Sequence, residues 1–166
     1  ELTESLIEWG AEINPTGEDT ISKTPLHFAV ESNNVELVNF LVEKGANIDA
    51  QDEHGNTALH LAIRKGSVKI VSSLINHSAD PNIKETTFGE SAFHFAAKMG
   101  NKDILKLLLP NIKNINDPNR FGKTAQQLAR HKKHYSAEIA IKSWKQEHMS
   151  NEINQPKNTD IVTFYA

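Results

Sequence analysis

The chain has 166 residues, 38% of them hydrophobic, and no cysteine. That is enough for one ordinary domain or a short stack of repeated units, and it excludes disulfides, thiolate metal sites and a cysteine nucleophile. The net charge of −3 conceals a segregation: residues 1–53 sum to −10, with Lys23 and Lys44 their only basic groups besides histidine, and residues 54–149 sum to +8. Opposite fields at two ends of a rod can orient a charged partner before contact, although solvated faces of different composition produce the same totals. No window approaches the run of about 20 apolar residues that spans a bilayer, and no apolar stretch near Glu1 reads as a secretory signal.

In chain order, Leu6-Ile7-Glu8-Trp9-Gly10-Ala11-Glu12-Ile13 comes first and matches Leu41-Val42-Glu43-Lys44-Gly45-Ala46-Asn47-Ile48. The chain is therefore expected to open inside the second helix of a unit whose first helix is missing, as in a fragment of a longer protein. Thr24-Pro25-Leu26-His27-Phe28-Ala29 follows. It returns as Thr57-Ala58-Leu59-His60-Leu61-Ala62, Ser91-Ala92-Phe93-His94-Phe95-Ala96 and Thr124-Ala125-Gln126-Gln127-Leu128-Ala129, at intervals of 33, 34 and 33 residues. Each Thr or Ser stands where a hydroxyl caps a helix, and Pro25 suits a first turn. Nine residues after each cap come Asn33, Gly66, Gly100 and Lys133. Asn and Gly tolerate the left-handed conformation that ends a helix, and Lys133 predicts an altered turn in the last unit.

Apolar residues at helical spacing then mark second helices: Leu37, Val38 and Leu41; Ile70, Val71, Leu74 and Ile75; Ile104, Leu105 and Leu108. Pro110 stands where the third of these should stop. In the last unit Gln126 and Gln127 make the first helix more polar, with Thr124 and Gln127 at capping-box spacing. Ala137, Ala140, Ile141 and Trp144 give the final helix one buried stripe, with Lys132, Lys133, Lys142 and Lys145 around it. Ser150 onward reads as a polar linker, and Ile161–Ala166 is a β-prone end that docks on the stack, binds a partner strand or frays.

A fixed period of this length marks stacked supersecondary units, and the hexapeptide at this spacing resembles the ankyrin-repeat family. The resemblance runs from the first residues to about Met149. It implies an all-α solenoid of helix–turn–helix units joined by β-hairpin-like loops. The expected divisions are a truncated repeat over 1–18, repeats over 19–51, 52–85 and 86–118, a capping repeat over 119–149, and a tail over 150–166.

Histidines invite a catalytic or metal reading. The resemblance implies a structural one for His27, His60 and His94, whose ring nitrogens in this family tie adjacent repeats together. His131 and His134 lack a third ligand for zinc. No phosphate-cradling glycine loop, nucleophile elbow or paired carboxylate is present, so neither a catalyst nor a cofactor is expected in this chain.

Family arrays bind proteins through hairpin tips and the exposed faces of first helices, which assigns three rows of candidates. The tips carry Ile21, His54, Phe88 and Phe121. The residues before each cap are Lys23, Asn56, Glu90 and Lys123. Near the helix ends stand Arg64, Lys65, Lys98, Met99, His131 and Lys132. Large aromatics at hairpin tips read either as interface anchors or as rings lying flat on a neighbouring hairpin; the basic row reads either as a partner surface or as a solubility device. The expected function is a monomeric, cytoplasmic, non-catalytic module that grips an acidic segment of another protein. The rival is the substrate-targeting region of a larger enzyme, such as a secreted bacterial effector, a source in keeping with fifteen Lys against three Arg. Nucleic acid fits less well, because the basic half lacks Arg clusters and has few aromatics.

Overall fold

The computed structural model describes residues 12–14 and 23–153. Among these, eight α-helices follow one another in antiparallel pairs: α1 (Pro25–Glu31) with α2 (Val35–Glu43), α3 (Ala58–Lys65) with α4 (Val68–Asn76), α5 (Ala92–Met99) with α6 (Lys102–Leu108), and α7 (Ala125–His131) with α8 (Tyr135–Ile153). First helices stack on first helices (α1 on α3 on α5 on α7) and second helices on second helices (α2 on α4 on α6 on α8). The first seven helices, at 7–9 residues each, are too short to be stable alone; burial between neighbours holds them. One core, including Leu26, Leu59, Ile63, Ile70, Leu74, Ile104, Leu108 and Ile141, runs the length of the stack.

The turn inside each pair is the same in all four units. Asn33, Gly66, Gly100 and Lys133 all adopt left-handed φ, at 54°, 69°, 73° and 62°. The altered turn expected at Lys133 is absent: its N–H donates to the Arg130 carbonyl and the His134 N–H to the Ala129 carbonyl, the bonds that Gly66 and Ser67 make to Ile63 and Ala62. A left-handed lysine costs about 1 kcal/mol, and those two bonds offset it.

The hairpins between units contain no extended strand among the described residues, only the isolated bridges Lys84–Ser91 and Pro118–Thr124. Each tip is held by one acceptor side chain at its base. Asp52 Oδ1 accepts the N–H groups of His54 and Asn56, and Asn119 Oδ1 accepts those of Phe121 and Lys123. The middle hairpin carries the extra residue responsible for the 34-residue interval. There the acceptor is Glu85, one methylene longer, whose carboxylate takes the N–H groups of Thr87, Phe88 and Glu90 at 2.6, 2.7 and 3.0 Å. Burial raises the pKa of Glu85, but those three donors outweigh it and leave the group below the usual glutamate range.

The last unit departs from expectation in two places. The final helix runs through Ile153 rather than yielding to a linker at Ser150, because residues 150–153 contain neither glycine nor proline to stop it. Lys145 is half-buried, not solvated. Its Nζ donates to Asn116 Oδ1 at 2.6 Å and Gln126 Oε1 at 2.9 Å. Pro110 acts as anticipated: α6 ends at Leu108 and tightens into a 3-10 turn over Leu109–Asn111. Most of the expected opening half-repeat and the Ile161–Ala166 end lie outside the described residues. Of the former, Ile13 packs on the core and Asn14 bonds to Gly45 and Asn47.

Candidate functional site

The three repeat histidines are buried and tie neighbouring units together, as the resemblance implies. In each, Nδ1 accepts the N–H of the cap residue: Thr24 to His27 at 3.0 Å, Thr57 to His60 at 3.2 Å and Ser91 to His94 at 3.3 Å. Nε2 faces a backbone carbonyl of the next hairpin: Asn56 at 3.1 Å, Glu90 at 3.3 Å and Asp117 at 3.0 Å respectively. A carbonyl only accepts, so Nε2 carries the proton and the ring is neutral. Burial lowers all three pKa values, that of His60 to about 4. These rings are helix caps and inter-repeat ties, with both nitrogens occupied. In the last unit Gln127 stands in the histidine's place; its Oε1 accepts the Thr124 N–H at 3.0 Å. It keeps the cap without the second nitrogen that elsewhere reaches a following hairpin.

The candidate partner-binding residues separate into groups. Asn56 and Glu90 are turned inward, 4% and 3% exposed. Asn56 bonds to Asp52 inside its hairpin, and Glu90 accepts from Lys98 Nζ at 2.8 Å. Lys23 likewise pairs with Glu31 at 2.5 Å, eight residues on, the same offset as Glu90 to Lys98. Lys98 also lies over the rings of Phe88 and Phe95, 5.3 and 5.5 Å from their centroids, so its charge is answered on three sides. Ile21 lies outside the described residues. His54, Arg64, Lys65, Met99 and Lys132 are exposed, with His54 Nε2 3.6 Å from the Glu53 carboxylate. Arg64 and Lys65 stand apart from the aromatic tips, beside Glu31 and Leu61.

At the C-terminal end the remaining candidates come together. Phe88, Lys98, Phe121, Lys123 and His131 line one concave groove of about 560 Å³, between the last two hairpins and the first helices α5 and α7. Phe88 and Phe121 are 43% and 67% exposed, with centroids 6.1 Å apart and planes tilted by 42°. Each ring rests on the neighbouring tip and still shows a face to solvent. Asn119, Gln127, Leu128 and Arg130 also line the groove and were absent from the candidate rows. The signal for Asn119 was in the sequence, since Asp52, Glu85 and Asn119 put an acceptor at the base of each of the three described hairpins. Arg130 is held by Glu138 at 2.8 Å.

The groove's charge follows from an ion pair that two of the described units close and the last does not. The position before the cap and the one near the helix end close an ion pair in the units of α1 (Lys23–Glu31) and α5 (Glu90–Lys98). In the last unit the same positions hold Lys123 and His131, with no acid between them and no ion-pair partner among the described residues. Two basic side chains thus flank a pair of exposed aromatic rings.

Among the described residues, no group of three or more His, Asp or Glu side chains is placed to hold a metal ion, and no helix is long and apolar enough to cross a membrane. A family profile described as Ankyrin repeats (3 copies) matches residues 1–85, and one described as Ankyrin repeats (many copies) matches residues 65–109. Among curated proteins, the chain is similar to the Nuclear factor NF-kappa-B p105 subunit of Gallus gallus, 34% identical over 136 residues. The match covers 78% of this chain and 14% of that protein, so the chain spans only a small part of the relative's length. With the repeat period, the histidine caps and the helix-pair stack in agreement, the chain belongs to the ankyrin-repeat family, whose arrays are interaction modules that bind other proteins.

Proposed function

We propose that this array binds an acidic segment of another protein in the groove between Phe88, Phe121, Lys123 and His131, and that it contributes binding rather than catalysis. One observation carries the reading. Where the units of α1 and α5 neutralise themselves with an ion pair, the last unit offers two basic groups beside two solvent-facing aromatic rings. Aromatic anchors supply most of the affinity in such interfaces, and flanking charges supply steering and selectivity.

Lys98 has a different part from the one its place in a basic row implied. Held by Glu90 and two rings, it shapes the groove wall and leaves capture of a carboxylate to Lys123, His131 and the nearby exposed Lys132. Arg64 and Lys65 belong to a separate surface and are not needed for this ligand.

Selection of a displayed random-peptide library on the intact chain tests the reading. Recovered peptides should share an apolar or aromatic residue beside at least one Asp or Glu. Phe121→Ala should weaken their binding by more than about 1 kcal/mol, while Arg64→Ala leaves it unchanged. Peptides of basic or neutral consensus, or binding indifferent to Phe121→Ala in a folded protein, would contradict it.

A further inference from the structure

Successive hairpins are joined by a backbone ladder. The Thr86 N–H donates to the His54 carbonyl, and the Arg120 N–H to the Phe88 carbonyl, both at 2.9 Å. Each rung takes the carbonyl of a tip residue as acceptor and an N–H of the following hairpin as donor. The tip residue of the last hairpin is Phe121, and the chain beyond it enters α7 and α8. No hairpin among the described residues donates to its carbonyl.

The tip glycines report the same opening independently. A Cβ built on Gly55 would lie 2.7 Å from the Thr86 nitrogen, and one on Gly89 2.7 Å from Arg120 Cγ, because the next hairpin covers both. A Cβ built on Gly122 would meet nothing within 4 Å among the described residues. Among the described residues the ladder therefore ends in an uncovered edge, with an exposed ring on it and Lys123 two residues further along the same arm. Unpaired edges of this kind are templates for an added extended chain.

We infer that an extended acidic segment of a partner protein adds to the last hairpin as its next rung. It donates a backbone N–H to the Phe121 carbonyl, packs an apolar side chain on the Phe121 ring and brings a carboxylate to Lys123. The segment's acidity follows from complementarity, since residues 54–149 sum to +8. The inference rests on the proposed groove and adds to it the main-chain register in which the ligand lies.

The probe is a fluorescein-labelled peptide with runs of glutamate on both sides of one Leu–Phe pair, titrated against the full chain by polarisation. Its controls are a lysine-for-glutamate copy and a series N-methylated at one backbone amide at a time. The glutamate peptide should bind and the lysine peptide should not. Phe121→Ala and Lys123→Glu should each weaken binding at least about fivefold. N-methylation at one central amide should cost about fivefold, and at the outer amides little.

If every N-methylated copy binds like its parent while both substitutions still weaken binding, the added rung is wrong and the groove stands. If neither substitution weakens binding, if the lysine peptide binds equally, or if nothing binds at about 1 mM peptide, the groove reading fails and this inference with it. Tighter binding by the full chain carrying Phe164→Ala would assign the edge to the protein's own C-terminal segment. Self-association abolished by Phe121→Ala would assign it to a second copy; either outcome overturns the proposal.

Discussion

Lys145 reaches across from α8 and donates to Asn116 Oδ1 at 2.6 Å. Earlier in the array the equivalent acceptors are filled by backbone N–H groups of the next unit. The Asp80 N–H donates to Asp49 Oδ1 and the Lys113 N–H to Asn82 Oδ1. A side-chain ammonium thus stands in for the amide of a following repeat. Among the described residues no further unit follows α8 to supply that amide, and a unit without a following neighbour otherwise leaves its interface groups unpaired.

Lys145→Met keeps the aliphatic stem and removes the donor. It should lower stability by about 1 kcal/mol, at the low end for a charged hydrogen bond because the site is half-exposed. Lys142→Met, exposed on the same helix, should change stability by less than about 0.5 kcal/mol. Urea denaturation of the two variants makes the comparison, and equal effects would refute the capping role of Lys145.

His60 performs two tasks that substitution can separate. His60→Ala removes the acceptor for the Thr57 N–H, the donor to Glu90 and the edge-to-face contact with Phe95 at 5.2 Å. The expected cost is about 1–3 kcal/mol. His60→Gln should cost less, because Gln127 shows that a glutamine keeps the cap in this fold. Thermal melts that rank the variants parent, Gln, Ala support the assignment; an unchanged melt for Ala would refute it.

Acid should loosen the stack before it touches the carboxylates. Burial holds the pKa of His60 at about 4, below the unfolded value of about 6.5, and lowers those of His27 and His94 in the same direction. Between the two values the unfolded chain binds more protons, so stability rises with pH. The contribution is complete above pH ~6.5 and is lost as pH falls through the folded pKa, on the order of 3 kcal/mol for His60. Glu85, held below the ordinary range by its three N–H donors, adds a second loss only below pH ~4.3. Melting temperatures should hold level from pH 7.5 to about 6.5 and fall from there to pH 4, less steeply for His60→Gln. A flat profile over that range would contradict the neutral, doubly bonded ring.

The three tip glycines should differ although all have left-handed φ, at 74°, 64° and 70° for Gly55, Gly89 and Gly122. Gly122→Ala meets open space and should cost only the backbone strain, about 1 kcal/mol. Gly89→Ala also presses on Arg120 Cγ, part of a flexible side chain, and should cost more. Gly55→Ala collides with the backbone nitrogen of Thr86 and should cost the most. Denaturation midpoints in any other order would contradict the stacking of the hairpins.

The repeat period made the helix pairs and the buried histidines legible, because a fixed interval specifies stacking and stacking specifies burial. Less legible was what each surface position does inside its own unit. Glu90 and Lys98 were placed in two separate exposed rows, yet they bond to each other. Lys23 and Glu31 share that offset of eight residues, which could have exposed the pairing. Asn56 occupies a row position and is buried, because Asp52 folds the hairpin over it. Lys133 kept a turn that its residue type disfavours, since neighbouring units impose the local geometry. The convergence of Phe88, Phe121, Lys123 and His131 depends on how hairpins curve over first helices, and no spacing along the chain encodes that.

The most direct test is a titration of the 15N-labelled full chain with the acidic peptide, read residue by residue. Binding in the proposed groove predicts amide shifts concentrated at Phe88, Lys98, residues 119–123 and residues 127–131, with α1 to α4 silent. Shifts centred instead on Arg64 and Lys65, or on the exposed Tyr135 and Ile139 of α8, would contradict it.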